Sequence, residues 1–566
     1  MLFSDMPYVR PDMDLLREKI EEHTEELKNA QSFAEADRAY AALEKAFSGV
    51  QTAMTLCYIR HTVNTEDEFY AAEQECLDEI RPQLQQIQQG AQMELFRSAW
   101  RPDFERKYGS LLFTNMTIEL RSFDPKLIPD MQEENKLVTA YGKLIASAQI
   151  PFEGQVLNLA QLGPYKESPD PAMRRKAWLA QAGFYTEHQQ ELDDIYDKLT
   201  ALRTKMGRAM GYENFVPLGY DRMGRNCYTE ADVKKFREAI VEYVVPVADR
   251  LYREQAQRLG VSYPLSYADT APMFLTGNPK PQGTADDILA AGKKFYHELS
   301  PEASTFIDVM FKNELMDVLS RKGKQGGGYC AGIPDYKVPF IFANFNGTQG
   351  DVEVLTHEGG HAFAGYTARD IFPEELQSPT LESCEIHSMS MEFFAWPWAE
   401  DFFGDQADKY RYAHLAGALK FLPYGTMVDH FQHIVYEQPE LTPDQRHEKW
   451  AELTKVYMPW IQLGDMPFWG EGKAWQRQSH IYEVPFYYID YCLAQSVALQ
   501  FWALMRQDRA EAWQRYYKLV KLAGTRTYRE LVAAAGLNDP FEPEGLRAAC
   551  ETAAQWLDGC DMTKIK

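Results

Sequence analysis

The sequence predicts a mainly α-helical, two-lobed fold with one small β element, on three observations. Long charged stretches rich in Ala and Leu repeat their apolar residues at steps of three and four. One run alone, residues 338–345, is continuously apolar and aromatic in the manner of a strand. A chain of 566 residues also exceeds one ordinary core. The expected organisation is an N-terminal helical lobe over residues 1–283, a region over 284–500 that carries the motif described below, and C-terminal helices over 501–566 that complete the second lobe.

Residues 13–89 read as a set of amphipathic helices, and residues 150–165 alternate as a short hairpin among helices. Asp170 and Pro171 cap and open one long helix along which Leu192, Ile195, Leu199, Leu202 and Met206 step by three and four, with Gly211 as the stop. Thr229 with Asp232 forms a capping box; the following helix should kink at Pro246 and end at Gly260. The Pro/Gly-rich run 264–283 is the expected loop at the lobe boundary, and Thr284 with Asp287 caps the next helix. From residue 401 onward the pattern is helical again. His430 and His433, at i and i+3, are expected to be structural, because no carboxylate-plus-water arrangement accompanies them.

Apolar content of 45% is ample for burial, and a net charge of −24 argues against a nucleic-acid partner, since phosphate binding draws on clustered Lys and Arg. The eight cysteines have no C-x-x-C spacing, so reduced thiols and a cytoplasmic location are expected. No secretory leader pattern and no spanning run of apolar residues is present, which predicts no membrane association. Oligomeric state is not legible.

The chemistry concentrates in residues 351–366, DVEVLTHEGGHAFAGY, where His357, Glu358 and His361 form H-E-x-x-H. On a helix, i and i+4 share a face, so both imidazoles can reach one tetrahedral metal while Glu358 stands beside it as a base. Gly359 and Gly360 each cost about 1 kcal/mol relative to Ala in a helix, so close approach of another backbone or of a substrate is expected there. A second helix, opened by Ser378 and Pro379, places Glu382, Glu385, Met389 and Glu392 on one face, with His387 pointing about 200° away from Glu385. Carboxylates crowded on an otherwise apolar face call for a cation. Cys384 has no evident base partner and is expected to be inert.

These features resemble thimet-oligopeptidase-type (M3) zinc metallopeptidases of the oligoendopeptidase F branch. The stretches GGGYCAG (326–332), VPFIFANFNGTQGD (338–351), HIYEVPFYYIDYCLAQ (480–495) and ENFVPLGYDRM (213–223) extend the likeness across nearly the whole chain. The resemblance implies a deep cleft near the β element, one Zn2+ per chain held by His357, His361 and Glu385, and oligopeptide substrates cut at internal bonds. It also implies that strand 338–345 borders the cleft, where an extended substrate pairs with its edge. Glu392 and Asp351 are expected to orient the ligating histidines. Relatives carry a histidine followed by tyrosines that stabilise the oxyanion. Here these are His480 with Tyr488 and Tyr491, one helical turn apart and favoured over Tyr487, although Tyr491 follows His480 one residue sooner than in the animal members. Other readings of the same motif are an aminopeptidase, whose G-x-M-E-N-type strand is absent, a dipeptidyl carboxypeptidase, whose carboxylate-binding cation the sequence does not identify, and a non-catalytic helical scaffold.

Overall fold

The computed structural model describes residues 1–321 and 323–565. Helices dominate, and two compact units are each assembled from three stretches of chain. The chain passes between units near residues 120, 279, 404, 503 and 537, so units and consecutive stretches do not coincide. None of the described helices is long and apolar enough to cross a membrane.

The first unit comprises Met1–Leu120, Lys280–Gly404 and Leu504–Leu537. Its opening helices, Met13–Asn29, Phe33–Val63 and Glu68–Arg97, start at Asp12, Ser32 and Asp67, whose side chains accept first-turn N–H groups. They close over Leu16, Ile20, Leu27, Tyr40, Leu43 and Leu95, each buried side chain being worth about 1.5–3 kcal/mol. The capping box at Thr284 and Asp287 is present and opens helix Ala285–Leu299.

The β element differs from expectation. Strand Val338–Phe345 is the centre of a three-stranded sheet, parallel to Met316–Leu319 on one side and antiparallel to Tyr329–Ile333 on the other. Residues 338–342 pair with Tyr329–Ile333 and residues 341–345 with Met316–Leu319, so it is an inner strand rather than the free edge expected. Its flanking strands escaped notice because MDVL is short and YCAGI lacks alternation.

The second unit comprises Arg121–Pro279, Asp405–Ala503 and Asn538–Lys566. It holds the expected hairpin, Ile150–Phe152 with Gln155–Leu157, but the one long helix expected from Pro171 is two: Pro171–Glu187, opened by Asp170, and, after a break at His188, Gln189–Ala209, which buries Leu192, Ile195, Leu199 and Met206. After the capping box at Thr229 and Asp232, helix Glu230–Ala239 passes through a π turn, Ile240–Val244, into helix Val245–Leu259. Pro246, which has no N–H to donate, sits in the first turn after that irregularity, and Gly260 ends the helix in the left-handed region.

Candidate metal centre

The metal motif lies wholly in the first unit, on helix Gln349–Ala368, and its partner carboxylates lie on helix Leu381–Phe394. The second helix starts at Thr380 rather than Ser378, and the Thr380 hydroxyl donates to Glu382 Oε1 at 2.7 Å. The expected close approach is real at both glycines. A Cβ on Gly360 would stand 2.5 Å from the His387 carbonyl oxygen, so the two helices touch backbone to backbone. A Cβ on Gly359 would meet the Tyr296 hydroxyl.

That contact brings three donors together. Glu385 Oε2 lies 3.3 Å from His357 Nε2 and 3.6 Å from His361 Nε2. Zinc–ligand bonds of about 2.0–2.1 Å in a tetrahedron place ligand atoms roughly 3.3–3.4 Å apart, so the nitrogen, nitrogen, oxygen set fits that metal. Glu392 Oε1 accepts from His357 Nδ1 at 2.7 Å, and His357 Nε2 faces Glu385 and His361. The Ser388 hydroxyl donates to Glu385 Oε2 at 3.0 Å. Burial pulls the His357 imidazole down, but Glu385 and Glu392 outweigh it and hold the ring well above its ordinary value. Glu385 is the converse, since burial would raise its carboxyl while the two histidines hold it well below the usual range.

Glu358 is 8% exposed, and burial pushes its carboxyl up, opposed by His357 and His361. The entry to strand Tyr329–Ile333 passes over it, since a Cβ on Gly328 would lie 3.6 Å from Glu358 Oε1. His387 faces away, fully packed, and burial depresses its pKa to about 3. Asp351 departs from expectation: it accepts the N–H groups of Asn346 and Gly347 at 2.9 and 2.7 Å, fixing the turn that feeds the motif helix instead of orienting a histidine.

His480, Tyr487, Tyr488 and Tyr491 gather in the second unit. The His480 ring centroid lies 5.0 Å from that of Tyr488 and 5.9 Å from that of Tyr491, and the two tyrosines are 5.5 Å apart. His480 Nδ1 is 2.8 Å from Gln478 Nε2. His430 and His433 each meet a tyrosine, Tyr457 at 3.0 Å and Tyr220 at 3.1 Å. His433 also joins Glu230 and Glu437 in a second group of close donor atoms, two of the three residues being exposed. Cys384 Sγ points to the Pro379 carbonyl at 3.5 Å.

Two family models match the chain: the peptidase M3 N-terminal domain over residues 3–123 and peptidase family M3 over residues 295–551. A curated relative, the oligoendopeptidase F homolog of Borreliella burgdorferi, is 23% identical over 228 residues, 38% of this chain and 37% of that protein. Three solved structures superpose over nearly their whole lengths. A protein provisionally assigned as oligoendopeptidase F has a TM-score of 0.95 at 46% identity, covering 99% of both chains. A PZ peptidase A solved with an inhibitor has a TM-score of 0.95 at 44% identity, again over 99% of both. A provisionally assigned oligoendopeptidase F from Bacillus anthracis strain Ames has a TM-score of 0.91 at 42% identity, over 100% of this chain and 99% of that one.

Proposed function

The chain belongs to peptidase family M3, in its oligoendopeptidase F branch, and we propose that it is a zinc-dependent endopeptidase hydrolysing internal bonds of short oligopeptides. The observation that carries this reading is the convergence of His357, His361 and Glu385, whose ligand atoms all lie within 4.8 Å of one another. These three residues would hold one Zn2+. When bound, the ion supplies a Lewis acid that polarises the scissile carbonyl and acidifies water.

Glu358 accepts the proton of the attacking water on its carboxylate and delivers it to the departing amine nitrogen. Burial raises its carboxyl, opposed by His357 and His361, in the direction that favours holding a proton once it is taken. Glu392 fixes the His357 tautomer. Tyr488 and Tyr491, with His480, take the part that the resemblance implies, donating to the oxyanion. Eight free thiols support a reducing, cytoplasmic setting.

Metal analysis and peptide turnover test the assignment together. Glu385→Ala should weaken zinc binding, and Glu358→Gln should keep the zinc while losing turnover, because an amide cannot take the proton. Full zinc and full activity in the first variant would move the third ligand to another glutamate. Substantial hydrolysis by the second would remove Glu358 from the base role.

A further inference from the structure

The turn that delivers Tyr487, Tyr488 and Tyr491 contains a residue in a conformation its type rarely adopts. Phe486, fully buried, has φ of +69°, in the left-handed region where a bulky side chain is strained. Such a conformation persists only where its surroundings over-determine it. Here they do so from both sides of the peptide. The Phe486 N–H donates to Gln432 Oε1 at 2.9 Å, and the Gln432 amide is itself oriented by donating to the Val428 carbonyl at 3.2 Å. The Phe486 carbonyl accepts from Arg225 Nη2, which also donates to Asp490 Oδ1 at 3.2 Å. Asp490 lies between Tyr488 and Tyr491 at the start of helix Tyr488–Gln507, so one guanidinium group grips the turn before the tyrosines and the helix that carries them.

The ring is fixed as well. Phe486 packs against Gly219, where a Cβ would stand 2.5 Å from Phe486 Cδ2, and against His433 and Tyr220 with ring centroids 5.0 and 5.6 Å away. The Arg225 side chain, 1% exposed, lies over the Tyr220 ring, its Cζ 4.2 Å from the centroid, and directs Nη2 at the Phe486 carbonyl and Asp490; burying a charge in this way is costly unless the position it fixes matters. We propose that Arg225, Gln432 and Phe486 form a positioning device for the peptidase reaction, holding the Tyr488 and Tyr491 hydroxyls in register through the strained turn. The device rests on the reading of those tyrosines as oxyanion donors.

The test uses the full-length zinc-loaded protein and a quenched peptide. Arg225→Lys and Gly219→Ala should retain zinc and a cooperative thermal transition, and should lower kcat by about 100-fold, the cost of displacing a catalytic group by about 1 Å, with KM unchanged. Phe486→Ala should recover part of kcat in the Gly219→Ala background, because it removes Cδ2 and Cε2, the atoms nearest the added methyl, while the backbone of residue 486 keeps its hydrogen bonds to Gln432 and Arg225. Arg225→Lys combined with Tyr491→Phe should lose little more than either alone. Unchanged kcat in both single variants, or losses that multiply with Tyr491→Phe, would overturn the positioning role while leaving the tyrosines in place. Full kcat in Tyr488→Phe and Tyr491→Phe would instead overturn the oxyanion reading, and the device with it. Should Arg225→Lys fail to fold, Gly219→Ala and its rescue decide the matter alone.

Discussion

Replacing Gly360 by alanine separates two physical arguments of opposite sign. Helix propensity alone predicts that Gly360→Ala stabilises the protein by about 1 kcal/mol. The structure predicts the reverse, because the new Cβ would stand 2.5 Å from the His387 carbonyl oxygen and 2.7 Å from Ser388 Cα, both main-chain atoms that no rotamer change can move. Reaching ordinary van der Waals separation requires helix Leu381–Phe394 to retreat by about 0.9 Å. Overpacking of this kind costs roughly 1–3 kcal/mol, and a backbone obstacle belongs at the upper end, so a net loss of about 2 kcal/mol remains after the propensity gain.

The retreating helix carries Glu385 and Glu392, so the same step draws the third donor away from two imidazoles and loosens the His357 tautomer. Zinc affinity should fall about 10- to 100-fold. Competition for zinc against a chromophoric chelator and denaturant unfolding of the chelated protein measure the two terms separately. Gly365→Ala, on the same helix with open space where its Cβ would go, is the control and should stabilise the fold without touching the metal. If Gly360→Ala behaved like Gly365→Ala in both assays, the helix-contact argument would be refuted.

Glu392→Gln should lower zinc affinity about 10- to 100-fold with the fold intact, since it weakens the partner of His357 Nδ1, and the same chelator competition reads it. Away from the metal, burial and then Glu375 push the Glu44 carboxyl up to about 10. Its folded-state value exceeds the unfolded one, so folding takes up a proton; the stability is fully present below about pH 4.5 and is lost as pH rises toward 10. Denaturant titrations from pH 5 to 9 should show a downward slope in the wild type that Glu44→Gln removes. Peptides of graded length should be cut at internal bonds while a native two-state domain survives, and exclusive release of single N-terminal residues or C-terminal dipeptides would shift the activity to an exopeptidase.

The parts of this molecule that were legible in the sequence are those written in local pattern. Capping boxes at Thr229 and Thr284 depend on residues three apart, and the pairing of His357 with His361 rests on the helical period, whereas Glu385 was separated from Glu382 and Glu392 on the same face only by the family resemblance. Gly359 and Gly360 signalled a close approach without saying to what. Strands Met316–Leu319 and Tyr329–Ile333 were missed because pairing with the central strand, rather than their own composition, makes them strands. Asp351 was assigned to the wrong partner for a related reason: an acidic residue in the first turn of a helix can serve the backbone ahead of it or the side chains beyond it, and only the fold of residues 346 and 347 decides. Arg225 and Gln432 gave no signal, since what they grip lies more than 50 residues away in sequence.

The His387 carbonyl that presses on Gly360 also accepts the Tyr516 hydroxyl at 2.8 Å, across 129 residues of sequence. Tyr516 belongs to helix Arg509–Leu522, so the bundle around the metal motif is closed by a segment synthesised long after the motif itself. A nascent chain arrested before residue 509 carries His357, His361 and Glu385 but lacks the wall that presses their two helices together. During translation the order of events is thus fixed by topology: the three candidate ligands come early, their enclosure comes late, and full affinity for a metal is expected only of the finished chain.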